Sequence, residues 1–204
     1  MNTLYKCLTA DGTGPYSACK WSLPTRNEDD GTWIPGEWML AVEGDLVPCQ
    51  NGYHLCGAGQ LVHWLNTQIY VAEYRGDKID GDNKIVVREA RLLYPLESWN
   101  ERTARLFACD CAEHVLHIYE RQHPDDSRPR RTIETARRFA NGDAAREELA
   151  AAWAAAGAAA GAAAGAAAWD AAGAERDWQS ERLAFYLFGK EQEEQTYDPT
   201  RSLL

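Results

Sequence analysis

The residues best suited to chemistry fall in three short stretches of a 204-residue chain. Cys49, His54 and Cys56 stand as Cys-x4-His-x-Cys, and Cys109, Cys111 and His114 as Cys-x-Cys-x2-His. Zinc asks for four thiolate or imidazole ligands in tetrahedral reach, ordinarily delivered as paired Cys-x2–4-Cys units. Neither stretch has that spacing, and on a helix Cys111 and His114 share a side that Cys109 does not. Cys49, His54 and Cys56 are the metal-ligand candidates, but buried free thiols account for them better, and no metal or cofactor is expected. Asp110 and His114 lie four apart, as do Glu113 and His117. Such a carboxylate can orient an imidazole for general-base work, or simply pair with it on a helix face. The chain holds no nucleophile motif, phosphate-binding glycine loop or metalloprotease signature. The third stretch is Arg128, Arg130, Arg131, Arg137 and Arg138, after the Asp125–Asp126 turn. It reads either as a solvated face pairing with nearby acids or as an anchor for an acidic partner, since the guanidinium fork grips carboxylates bidentately.

The elements that must position these residues divide the chain near position 95. Before it, Thr3–Thr9, Glu37–Val42, Gln68–Tyr74 and Lys84–Leu93 are short runs rich in β-branched and aromatic residues. Turn pairs such as Asn51–Gly52 and Gly81–Asp82 separate them. Leu61, Val62, Trp64 and Leu65 fit one face of a short helix, and Ile85, Val87 and Leu93 one face of a strand. After it the pattern is helical. Ser98 and Glu101 make a capping box. Ala104, Phe107, Ala108, Cys111, Val115 and Ile118 then form a core-facing stripe that stops before Pro124. Pro129 suits the first position of a second helix, which Asn141–Gly142 closes. Asp143 caps a third stretch running towards Phe188, where Gly189 ends it. The fold class expected is α+β: a small mixed domain over 1–95, an all-helical alanine-rich domain over 98–190, and a polar tail over 191–204.

Of 32 alanines, 15 crowd into Ala150–Ala168, where Trp153, Gly157, Gly161, Gly165 and Trp169 recur every four residues. That spacing allows close helix packing, within the chain or with a second copy, closed at its ends by Trp153 and Trp169. The uncharged stretch is long enough to span a membrane but lacks Leu, Ile, Val and Phe, so no span is expected. A straight helix from Asp143 to Phe188 would reach roughly 69 Å at about 1.5 Å per residue. A compact chain of this size is only about 40–45 Å across, so a bend or break near a glycine is expected.

The net charge is −10, and residues 1–100 alone carry 13 acids against 8 bases. No segment is strongly basic, which argues against phosphate-backbone binding and so against direct contact with nucleic acid. An acidic surface suits a basic partner, or ordinary solubility. Met1–Ala10 has no charged-then-apolar leader, so reduced thiols and a cytoplasmic location are expected.

The run Arg105–Glu120 (RLFACDCAEHVLHIYE), then Pro124–Arg130 (PDDSRPR), Ile133-Glu134, Ala136-Arg137-Arg138 and Asn141-Gly142, resembles the immunity protein family of bacterial polymorphic-toxin systems. Trp178-Gln179 and Arg182-Leu183 extend the resemblance to residues 98–188. It implies an all-helical module that neutralises a toxin, although the four-residue glycine spacing departs from the more charged repeats usual there. Residues 4–93 are similar to a domain of unknown function of bacterial and phage proteins, through Tyr5-Lys6, Gly52-Tyr53-His54-Leu55-Cys56, Val71-Ala72-Glu73 and Lys84…Val87. The order of those elements also resembles ADP-ribosyltransferases, which implies Tyr5, His54 and Glu89 as catalytic candidates around nicotinamide dinucleotide.

The function expected is non-enzymatic: a binding protein of bacterial or phage conflict that occludes a protein effector such as a toxin. Arg128, Arg130, Arg131, Trp153 and Trp169 are the expected partner-binding residues. Two alternatives stand beside it, an ADP-ribosyltransferase-like enzyme and an acidic phage-encoded inhibitor of a nucleic-acid-targeting host defence.

Overall fold

Leu4–Leu8 (β1) alternates in the manner of a strand, with Leu4 and Leu8 on one face and Tyr5 and Cys7 on the other. All four are buried, so both faces of this strand are covered. The computed structural model describes residues 3–17, 19–163 and 172–189. They group into two compact units, one of residues 1–98 with the chain from Ser180, the other of residues 99–179.

In the first unit, Tyr53–Leu55 (β4), Gln68–Asp80 (β5) and Ile85–Pro95 (β6) join β1 in an antiparallel sheet of order β1-β5-β6-β4. Thr25–Arg26 (β2) and Trp33–Ile34 (β3) form a separate small hairpin. Tyr5 and Cys56 exchange main-chain hydrogen bonds of 2.8 and 3.0 Å. This bridge ties the first strand to the residue after β4, so the sheet curls until its two ends meet. One face of all four strands supplies the core: Leu4 and Leu8, Leu55, Tyr70 and Ala72, then Val87, Ala90 and Leu92, with Trp21 from a loop. The fold class is α+β, as the strand and helix patterns imply.

Two strand expectations need correction. Ile85 and Val87 do share the core face, but Leu93 does not; Ala90 and Leu92 follow them instead. The odd step from Val87 to Ala90 reverses the alternation. It coincides with a bulge, because Arg75 to Lys78 on β5 spans three residues against the two from Val87 to Glu89 on β6. Glu37–Val42 is no strand. The N–H groups of Gly36, Met39 and Val42 donate to the carbonyls of Leu92, Ala90 and Arg88, three residues apart on one chain and two on the other. A β ladder cannot hold that ratio, yet the segment covers the part of the β6 edge that the three-residue β4 leaves open. The short helix expected after Gly57 is a 3-10 helix, Ala58–His63, which buries Leu61 completely.

The second unit contains Glu101–Gln122 (α1), Arg128–Ala140 (α2) and Arg146–Ala163 (α3), with the first residues of Ala172–Phe188 (α4). The capping box of α1 is Asn100 and Thr103, not Ser98 and Glu101. The Asn100 side chain accepts the Thr103 N–H at 3.1 Å, and the Thr103 hydroxyl accepts the Asn100 N–H at 2.9 Å. Ser98 instead donates to the Leu187 carbonyl within the first unit. The buried stripe of α1 is rotated from the one expected: Phe107, Cys109, Asp110 and Leu116 are buried, whereas Ala108 and Val115 are exposed. Cys109 packs with Ala136 and Leu149, and Ile133 and Phe139 lie around them. Pro129 is the second residue of α2, and Gly142 follows its Asn141 cap in the left-handed region at φ 83°. The first turn of α3 begins at Arg146, where the Glu148 carboxylate accepts the Ala145 N–H at 3.2 Å, so Asp143 is not its cap.

Helix α3 runs through Gly157 and Gly161 to Ala163. Residues 164–171, with Gly165 and Trp169, lie outside the described residues, and with them the rest of the segment expected to bend or break. Among the described residues, no helix is long and apolar enough to cross a membrane.

Gly36 tests the strap over β6. A Cβ there would sit 2.1 Å from the Ser22 carbonyl oxygen and 2.8 Å from its carbon. Backbone atoms cannot yield as a side-chain tip does, so Gly36→Ala should lower stability by about 3 kcal/mol or more. Gly59→Ala, with nothing within 4 Å, should change it by less than about 0.5 kcal/mol. Urea midpoints followed by circular dichroism compare the two.

Candidate functional site

In the helical unit Arg105, Arg128, Arg130, Arg137 and Arg138 are held by acids of the same unit. Arg137 of α2 reaches α1, with one guanidinium nitrogen 2.5 Å from Asp110 and the other 2.5 Å from Glu113. Asp110 is buried, and the pair joins the two helices beside the Cys109–Ala136 contact. Arg128 grips Asp126 through two nitrogens at 2.8 and 2.7 Å, and the Tyr119 hydroxyl donates to the same carboxylate. Arg128 and then Tyr119 hold Asp126 well below the usual carboxylate range. Arg130 is bidentate on Glu120, at 2.8 Å for both bonds, and Arg138 meets Glu148 at 3.3 Å.

Against that background two of the expected partner residues stand apart. Arg131 is exposed and has no ion-pair partner among the described residues. Trp153 on α3 is 59% exposed. Arg128 and Arg130 keep exposed guanidinium surface but are already engaged, and Trp169 lies outside the described residues.

The carboxylate–imidazole pairs expected along α1 are not formed, because Arg137 takes both Asp110 and Glu113. His114 instead stacks flat on Trp178, with centroids 3.9 Å apart, and its Nδ1 lies 2.6 Å from the Glu175 carboxylate. Gln179 donates to the other oxygen of Glu175 at 2.9 Å. No local spacing signals this group, since Glu175 lies 61 residues from His114. His117 faces the His114 carbonyl.

In the sheet unit, β1, β4 and the loops beside them enclose a cleft of about 570 Å3 bordered by Tyr5, His54, Cys49, Trp64 and Lys84. Tyr5 and His54, two of the catalytic candidates, both line it. Glu89 does not; it sits opposite Arg75 in the β5–β6 ladder, so the three are not brought together. Cys49 takes φ 66°, and its N–H donates to His54 Nε2 at 3.0 Å. Lys84 Nζ donates to Cys49 Sγ at 3.0 Å. The Cys56 thiol donates to the Tyr5 carbonyl. The Cys7 thiol and burial both push the Cys56 thiol pKa up, and burial raises the Tyr5 phenol to about 12. Cys49, His54 and Cys56 therefore do not converge as ligands, and among the described residues no group of three His, Cys, Asp or Glu side chains is placed to hold a metal ion.

Fold and surface thus define the second unit as a helical module locked from within by ion pairs, with Trp153 left in solvent among the described residues. Residues 95–175 match a family model described as Imm-5 like putative immunity protein, and the family resemblance read from the sequence is borne out over that segment. The match spans less than half of the 204-residue chain. An immunity or inhibitor role goes with that family. No curated protein and no solved structure matches the chain.

Two measurements probe this geometry. Asp110→Ala strips the buried partner from Arg137 and should destabilise the helical unit by about 3 kcal/mol in urea unfolding; Glu113→Ala, removing a half-exposed partner, should cost far less. Burial, and then Lys6 and Lys84, lower the His54 pKa from its ordinary 6.5. Its neutral form is the one that accepts from Cys49, so the stability it contributes is present above pH 6.5 and is lost as pH falls through the lower folded value. An NMR titration should place the His54 midpoint below 6.5, and a midpoint at or above that value contradicts the geometry.

Proposed function

We propose that the chain is an immunity-type inhibitor that binds a protein effector of bacterial or phage conflict, such as a toxin, and covers the surface with which that effector acts. The match of residues 95–175 to an immunity family carries this reading, because it falls on the helical unit. The surface of that unit supports it. Tryptophan and arginine dominate the energetics of protein interfaces; Trp153 is exposed without a stacking partner, and Arg131 is one of the exposed arginines without an ion-pair partner, among the described residues of this unit. The internal ion pairs keep the helices rigid, which lowers the entropy lost on binding. Residues 98–190 would act as the inhibitory module, in the cytoplasm, with no membrane or nucleic acid engaged directly.

The test co-expresses the chain with the toxin encoded beside it in its source genome and measures growth and affinity. Wild type should restore growth. Trp153→Ala should weaken binding by about 30-fold, equal to about 2 kcal/mol, and Arg131→Ala by about tenfold. A wild-type chain that neither binds the toxin nor protects the cell sinks the proposal.

A further inference from the structure

The cleft of the sheet unit is unusual in its charge. The chain carries 31 acids against 21 lysines and arginines, yet the charged side chains among the described residues that line this cleft are Lys6 and Lys84, with His54 and His63 beside them and no carboxylate. Neither lysine has an ion-pair partner among the described residues. Lys6 Nζ donates to the His54 carbonyl at 2.9 Å and lies 5.0 Å from the centre of the Trp21 ring. Lys84 donates to the Cys49 sulfur and lies 5.4 Å from the centre of the Trp64 ring. The aromatic faces soften the cost of such cations but do not neutralise them. Burial lowers the Lys6 pKa, the mark of a cation short of a counter-charge. Tyr5, Tyr16 and Trp64 also line the cleft, with Tyr16 standing edge-on to Trp64 at 5.8 Å. A volume of about 570 Å3 falls within the range of small-molecule sites.

We propose that this cleft binds an organic phosphate of mononucleotide size, its phosphate taken by Lys6 and Lys84 and its ring set against Tyr16 and Trp64. The flat ring follows from the Tyr16–Trp64 pair, and the phosphate from two cations that no carboxylate satisfies. Lys84 lies at the turn between β5 and β6 and Lys6 within β1, so the curl of the sheet is what brings them to one cavity. The site belongs to the sheet unit and does not rest on effector binding by the helical unit.

The full chain is titrated calorimetrically with adenosine 5′-monophosphate, with adenosine and inorganic phosphate as separate arms. Alkylation of Cys49 by iodoacetamide, followed by peptide mass, reports occupancy of the cleft independently. The nucleotide should bind saturably at millimolar concentration or below and slow Cys49 alkylation, while adenosine and phosphate each bind at least about tenfold more weakly. Lys84→Ala, at an exposed turn, should fold as wild type and lose at least about tenfold in affinity. Lys6→Met, which keeps the stem over Trp21, should do the same. No saturable nucleotide binding overturns the proposal, and so does binding that Lys84→Ala leaves unchanged. Phosphate binding as tightly as the nucleotide removes the ring from it.

Discussion

The pair of main-chain hydrogen bonds between Tyr5 and Cys56 is the contact on which the sheet unit depends. The two residues are 51 positions apart, and β1 is already held on its other side by β5. The bridge can therefore form only if the whole sheet bends. Bending removes free edges, which would otherwise expose unpaired N–H and C=O groups, and the Gly36–Val42 strap covers what remains of the β6 edge. It also carries the Lys6 ammonium to the His54 carbonyl, so one closure forms both the core and the rim of the cleft.

Arg137 has the corresponding place in the helical unit. A single guanidinium spans α2 to α1 and divides itself between a buried Asp110 and a half-exposed Glu113. That contact requires the Asp110 side of α1 to face α2, which turns Cys109 into the core and leaves Val115 outside. It also withdraws both carboxylates from the histidines four residues on. With Arg128, Arg130 and Arg138 likewise paired, the described residues of the unit that face solvent uncommitted include Trp153 and Arg131.

Local chemistry was legible at several points. The helix stop at Asn141–Gly142, the end at Gly189, the turn at Gly81 and the alternation of β1 all depend on residues within a few positions of one another. The same holds for the α+β fold class and for the family signature on residues 95–175. The errors share a cause. Ser98 and Asn100 both have the chemistry of a cap, and the choice between them was made by the Leu187 carbonyl, far away in sequence. The alternation of β6 holds as far as Val87 and resumes one residue out of phase at Ala90, across from the β5 bulge beside Gly76. The stripe on α1 had two plausible rotations, and an ion pair from another helix selected one.

By itself the sequence determined the class of the fold, the places where helices stop, and the kinship of the helical segment, because these are set by propensity and by neighbours within one or two turns. Tertiary structure alone decided which arginines are engaged, which histidine meets which carboxylate, and that two lysines should share an aromatic cleft without a counter-charge. Those outcomes depend on groups up to 78 residues apart in the chain, Lys6 and Lys84 among them. Charge pairing and burial act through space, and no spacing along the chain encodes them.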